Sequence, residues 1–182
     1  GLLGLDGERD AAGLAVDANE LGLDETLSFL KDIDAVNHRR RHRMVELTQM
    51  FIGEDLKGKR VCVLGAAFKP NSDDIRDSPA LAIAKMLADK GAVISIFDPR
   101  ALENVKKHFP TFEIAESPEA AAKDAEIVLH LTEWQEFRDL DPAKLGSVMK
   151  SKIVVDGRNA LNLDKWRAAG FVAMGMARAA HV

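Results

Sequence analysis

"VLGAAFKPNSDDIRDSPA", residues 63–80, decides how this chain is read. An apolar, β-branched run ends in glycine, a polar loop follows, and Ser78–Pro79 precede a stretch rich in alanine and leucine. That order spells a strand, a crossover turn and the start of a helix. Serine is a good N-cap, proline suits the first helical position, and a glycine (here Gly91) commonly follows the last turn. The alternation continues to the end of the chain. Strands are expected at 60–65, 92–98, 126–131, 152–157 and 171–175, and helices at 79–90, 101–108, 117–123 and 163–169. The strands are short and nearly continuous in apolar residues, as strands covered on both faces are. The fold class is therefore α/β, a Rossmann-like doubly wound parallel sheet with right-handed crossovers.

Upstream of residue 57 the pattern is helical. Leu23, Leu27, Leu30, Ile33, Met44, Leu47 and Phe51 recur at three- and four-residue steps, one buried stripe of a helix. Neither proline nor glycine interrupts the run from Leu23 to Ile52, so a single helix of about 40 Å is expected at 1.5 Å per residue. The charged, glycine-bearing "GEDLKGK" (53–59) marks the boundary. Two parts follow: a helical segment over 1–56 and an α/β domain over 57–182. The chain has no initiator methionine and opens irregularly on "GLLGLDGERDAAG", so it is expected to be a piece of a longer protein.

The 182 residues are 47% hydrophobic and 30% charged with a net charge of −4, a balance that argues against wholesale nucleic-acid binding. The basic run "NHRRRHR" (37–43) does not change this, because consecutive residues spread around a helix instead of forming one face. One cysteine, Cys62, cannot form an internal disulfide, and no Cys/His cluster has the spacing of a zinc site, so no metal is expected. The apolar runs are too short to cross a bilayer, and no signal sequence opens the chain. A soluble, cytoplasmic protein is expected.

Ligands of doubly wound sheets collect at the carboxyl ends of the strands, so the turn after Leu64 faces the default site. A dinucleotide fingerprint needs G-x-G-x-x-G there, so that bare backbone can press against a pyrophosphate. Here Gly65 is followed by Ala66, Ala67 and Phe68, which disfavours the usual NAD pose. Asp98, ending the second strand, matches the ribose-holding acid of that fingerprint, but capping of the "DPR" turn is the preferred reading. The turn offers instead an aromatic face, Phe68, two cations, Lys69 and Arg76, and two acids, Asp73 and Asp74. Lysine supplies a point charge and arginine a fork for phosphate oxygens; the competing reading is a charged loop with internal ion pairs. His130 ends a strand at the same edge and is read as a packed histidine, since no acid can be set beside it from sequence. Trp134 and Phe137 are read as packing anchors, and Cys62 as an inert buried thiol.

"GAAFKPNSDDIRDSPAL" resembles the G-x-A-F-K-x-x-(S/T)-D-D-x-R-(E/D)-S-P signature of the nucleotide-sugar 6-dehydrogenases. "LTEWQEFRDLD" (131–141) is similar to that family's threonine–glutamate–tryptophan segment, "DGRN" (156–159) to its last-strand motif, and "DAVNHRRRHRMVE" to the end of its long central helix. The match covers nearly the whole chain in the right order, with UDP-glucose enzymes nearest in pattern and GDP-mannose and UDP-N-acetylmannosamine enzymes as cousins. The resemblance implies an NAD-binding Rossmann domain outside this chain, a dimerising central helix and a C-terminal domain that binds the nucleotide sugar. It implies oxidation of a sugar C6 alcohol to a carboxylate in two hydride transfers, through thioester chemistry on a cysteine. Carried over, Phe68, Lys69 and Arg158 contact the UDP-sugar and Arg76 reaches toward NAD. A homodimer, with Arg158 offered by either subunit, is implied as well.

The family's cysteine motif, roughly G-G-x-C-x-P-K-D, falls by position on "LGLDGERD" (3–10). Asp6 then stands at the cysteine position, Arg9 and Asp10 at the Lys-Asp pair. Asp10 is the candidate for the acid that positions water. This piece alone is expected to bind UDP-sugar without oxidoreductase activity. The rival reading is a non-catalytic nucleotide-binding module that shares the fold.

Overall fold

The computed structural model of the chain describes residues 24–176, with side chains from residue 35 onward. The chain divides into two compact units, Gly1–Arg40 and Arg41–Val182. Helix α1 (Asp24–Ile52) is the expected uninterrupted helix. It stops at Gly53, whose φ of +98° takes the left-handed conformation of a helix-ending glycine and whose N–H donates to Gln49 O at 2.8 Å. The Lys59 ammonium donates to the carbonyl of Ile52, satisfying a last-turn acceptor. In the last turns Met44, Val45, Leu47, Thr48 and Ile52 are buried while Arg43, Glu46 and Met50 face outward. That three–four spacing puts one stripe into the core of the α/β unit, each large aliphatic side chain contributing about 1.5–3 kcal/mol by burial.

The α/β unit continues as β1 (Arg60–Leu64), α2 (Pro79–Asp89), β2 (Val93–Phe97), α3 (Leu102–His108), β3 (Glu113–Ile114), α4 (Pro118–Ala122), β4 (Ile127–His130), α5 (Gln135–Arg138), α6 (Pro142–Gly146), β5 (Ile153–Asp156), α7 (Leu163–Ala168) and β6 (Val172–Gly175). Among the described residues the strands form one sheet in the order β3-β2-β1-β4-β5-β6, with every pairing parallel. This is the doubly wound order, whose direction of winding reverses between β1 and β4. The five strands expected from sequence are all present, each a residue or two shorter than expected. The two-residue β3 and the short helices α5 and α6 were not expected.

The strands are apolar throughout because helices cover both faces. Val61, Val63 and Leu64 of β1 and Ile127, Val128 and Leu129 of β4 are fully buried or nearly so. Cys62 lies among them at 0% exposure, and burial pushes its thiol far above the ordinary range. Such a thiol is inert, in line with the sequence reading. Helix α2 begins as its sequence indicates: the Ser78 hydroxyl accepts from Leu81 N at 3.4 Å, and Pro79 opens the helix. Register sets Leu64 beside Phe97 and His130, and His130 beside Asp156. The carboxyl ends of four strands therefore form one level edge. No described helix is long and apolar enough to cross a membrane.

Candidate functional site

At that edge the first crossover turn is tied down before it reaches solvent. Gly65 has a φ of +102°, and a Cβ there would stand 2.5 Å from Thr132 Cβ and 2.6 Å from Thr132 N. The glycine thus serves a close approach between the β1 turn and the exit of β4. The N–H groups of Ala66 and Ala67 both donate to Asp98 Oδ2, at 2.8 and 3.0 Å. The Thr132 hydroxyl donates to Ala67 O at 2.9 Å, and the Ser78 hydroxyl to Ala66 O at 2.6 Å. Phe68 N donates to Asp74 O at 2.8 Å. Backbone groups that a Rossmann turn offers to a pyrophosphate are spent here on the protein itself.

Asp98 is the fastening point. It is fully buried, and its Oδ1 accepts from Arg100 N and Ala101 N, both at 2.9 Å, as the capping reading required. Its Oδ2 takes a third donor besides Ala66 and Ala67, the indole Nε1 of Trp134 at 3.1 Å. Five donors on one carboxylate leave it no capacity for a ribose hydroxyl. The described residues therefore do not fit NAD at this turn. Trp134 is buried as expected, and its indole N–H adds a polar tie beyond packing.

Past these ties the turn presents side chains. Phe68 is 52% exposed, unusual for a large apolar side chain, and Lys69 is exposed. Lys69 makes no hydrogen bond or ion pair among the described residues. Arg76 is engaged: its Nε and Nη2 fork onto Asp74 at 3.0 and 2.8 Å, and its N–H also donates to Asp74 Oδ1 at 3.0 Å. The side-chain bonds from Arg76, with the backbone bond second, hold the Asp74 carboxyl down to about 2. The internal ion pair foreseen as the competing reading thus exists for Arg76 and not for Lys69. Arg76 borders a hollow of about 630 Å³ on the β2 side of the turn, with Asn104, His108 and Phe109 of the α3 region opposite.

The segment "HLTEW" (130–134) is where the edge converges. His130 and Asp156 are completely buried, with Nδ1 of the ring 2.7 Å from Oδ1 of the acid. Asp156 also accepts from Arg158 N at 3.0 Å and from Leu161 N at 2.7 Å. Burial pushes its carboxyl up, but these donors, His130 first, outweigh it and hold the group below the usual carboxylate range. The guanidinium of Arg158 forks onto Glu133, through Nε to Oε2 and through Nη2 to Oε1 at 2.9 Å. The Arg158 fork lowers the Glu133 carboxyl and is itself raised by it.

The structure brings Phe68, Lys69 and Arg158 to the same carboxyl edge and sets Arg76 in its own hollow with α3. Asp10 lies outside the described residues, as do Asp6 and Arg9. Sequence reasoning missed the partner of His130, and the signal was available. Both His130 and the aspartate of "DGRN" end strands, and the doubly wound order makes β4 and β5 neighbours. Among the described residues no cluster of His, Cys, Asp and Glu could hold a metal ion.

Residues 62–163 match the model of the UDP-glucose/GDP-mannose dehydrogenase family, UDP binding domain. The chain belongs to this family. Among the relatives of this UDP binding domain, a UDP-glucose 6-dehydrogenase of Rhizobium meliloti is 38% identical over 148 residues, 81% of this chain and 34% of that protein. A UDP-glucose 6-dehydrogenase of Haloferax volcanii is 39% identical over 150 residues, 82% of this chain and 34% of its own length. The solved UDP-glucose dehydrogenase of Pyrobaculum islandicum superposes with a TM-score of 0.74 at 32% identity, over 92% of this chain and 36% of that one. The chain thus spans about a third of the length of these relatives. The fold and family expected from the sequence both stand.

Proposed function

We propose that the chain is the nucleotide-sugar-binding part of an NAD-dependent UDP-glucose 6-dehydrogenase, an enzyme that oxidises UDP-glucose to UDP-glucuronate. One observation carries the reading. A turn fastened at Ala66 and Ala67 by buried partners holds out Phe68 and Lys69, an aromatic face and an exposed ammonium that forms no salt bridge among the described residues. A uridine diphosphate needs that chemistry: a flat apolar surface for the base or ribose and a cation for the diphosphate. Arg158 would complete the site with its fork, and Arg76 would face the cofactor from the α3 side. NAD would be held by another part of the enzyme, since the first turn and Asp98 are already committed. Asp10 would stand beside the reacting carbon as the acid that orients water. The α1 helix would form the seam of a homodimer, a role supported by the 59% exposure of Met50 on its outer face. The cytoplasm is the proposed location.

Thermal denaturation with UDP tests the binding role. At a hundred times its dissociation constant UDP is expected to add about 2.7 kcal/mol of stability, and Lys69→Ala is expected to remove the shift. No shift with UDP or UDP-glucose would defeat the binding role of this chain. A larger shift with GDP would move the assignment to a guanosine-diphosphate sugar.

A further inference from the structure

We propose that the buried His130–Asp156 couple is the positioning element for Arg158, fixing the 157–161 loop so that its guanidinium is presented at the carboxyl edge. The role of Arg158 as a ligand contact rests on the preceding section; the positioning itself rests on contacts of this chain. The Asp156 carboxylate sits at the centre of the loop that follows it. Oδ1 accepts both His130 Nδ1–H and the Arg158 N–H, and Oδ2 accepts the Leu161 N–H. The loop's first amide, Gly157 N, returns to His130 O at 2.9 Å, so both residues of the couple hold the segment. Asn159, in the loop's middle, takes a left-handed φ of +53°, a region that asparagine enters more readily than most residues, so the loop turns there.

The carboxylate can only accept, so the imidazole must carry its proton on Nδ1. Its Nε2 is buried with no hydrogen-bond partner among the described residues, and its ring meets Phe137 edge-on at 5.9 Å between centroids. A leucine would fill comparable volume without burying that nitrogen. What imidazole alone adds is the donor that holds Asp156 in place, charged and aimed at two loop amides. The guanidinium is then set from the other side by Glu133, a residue of the same "HLTEW" segment. The charged groups near the couple are therefore Asp156 itself, Glu133 and Arg158. One strand exit thus governs the backbone and the side chain of Arg158 together. His130 and Asp156 touch no ligand in this scheme; they act through the loop.

Amide hydrogen exchange and UDP titration on the whole chain test this, with His130→Leu removing the donor and His130→Asn keeping one at the Nδ1 position. In His130→Leu the amides of Arg158 and Leu161 are expected to exchange roughly tenfold faster, as loss of a hydrogen bond to a charged group implies. The amides of Ala66 and Ala67, held by Asp98, serve as the internal control and are expected to stay unchanged. UDP affinity is expected to fall by about the same factor, and His130→Asn to restore both readouts. Equal exchange in His130→Leu and the parent, or acceleration shared by Ala66 and Ala67, would overturn the positioning role. So would unaltered UDP affinity beside a loosened loop. Should His130→Leu fail to fold, Asp156→Asn is read in its place, with the same local acceleration expected. A parent chain that binds no UDP counts against the binding role alone, and the exchange arm then decides the positioning.

Discussion

At Gly65 a methyl group would overlap the side chain and backbone of Thr132, and the φ of +102° excludes an ordinary residue independently of space. Gly65→Ala is therefore expected to cost on the order of 3 kcal/mol, read as a lowered urea midpoint with an unchanged slope. Thr132→Ala, by contrast, loses one hydroxyl bond and is expected to cost about 1 kcal/mol. Asp74 offers a test without unfolding. Its carboxyl, held near 2 chiefly by the Arg76 side chain, should titrate by NMR near that value in the parent chain. In Arg76→Ala the midpoint is expected to rise toward the ordinary aspartate value of about 3.9. No shift would show that the fork is absent in solution. Because both side chains are exposed, the pair is expected to matter little for stability.

Among the elements, α2 shows how far local chemistry reaches. Ser78 both caps the helix and donates to Ala66 O, so it links the helix start to the turn that carries Phe68. Ser78→Ala is expected to cost about 1 kcal/mol for the cap, plus the unpaired carbonyl of Ala66, as judged by chemical denaturation. Ser78→Gly should recover nothing at that carbonyl. The long helix and the five main strands were legible because each repeats a period over enough residues to be seen. The two-residue β3 and the four- and five-residue α5 and α6 offer less than one or two turns of pattern. Only α6 carried a local signal, an aspartate before proline, and its Asp141 carboxylate does accept from Ala143 N at 2.9 Å. Trp134, just ahead of α5, was read as packing; its tie to Asp98 depends on a strand end 36 residues away and has no local trace.

For the molecule as a whole, the buried acid of the couple links stability to pH. Asp156 titrates below its ordinary value in the folded chain, so the unfolded chain binds its proton first as pH falls. Its stabilising contribution is complete above about pH 4, and it is lost as pH drops from there through the folded-state value. Urea midpoints between pH 6 and pH 2.5 are expected to fall more steeply below 4 in the parent than in Asp156→Asn; parallel curves would contradict the shift. Residues such as Phe68, Lys69 and Arg158 could be nominated from sequence because motif and strand end coincide. Their supports, Thr132 and Glu133 after β4 and Asp156 at the end of β5, lie far from at least one of their partners in sequence and meet through the sheet's order and register. The contact between Gly65 and Thr132 has a consequence of its own. It presses the first turn against the exit of β4, the place where the order of strands turns back. Grafting a three-glycine loop onto residues 65–70 is therefore expected not to create a dinucleotide site by itself, because Thr132 packs against the start of that loop and its hydroxyl ties down the carbonyl of residue 67.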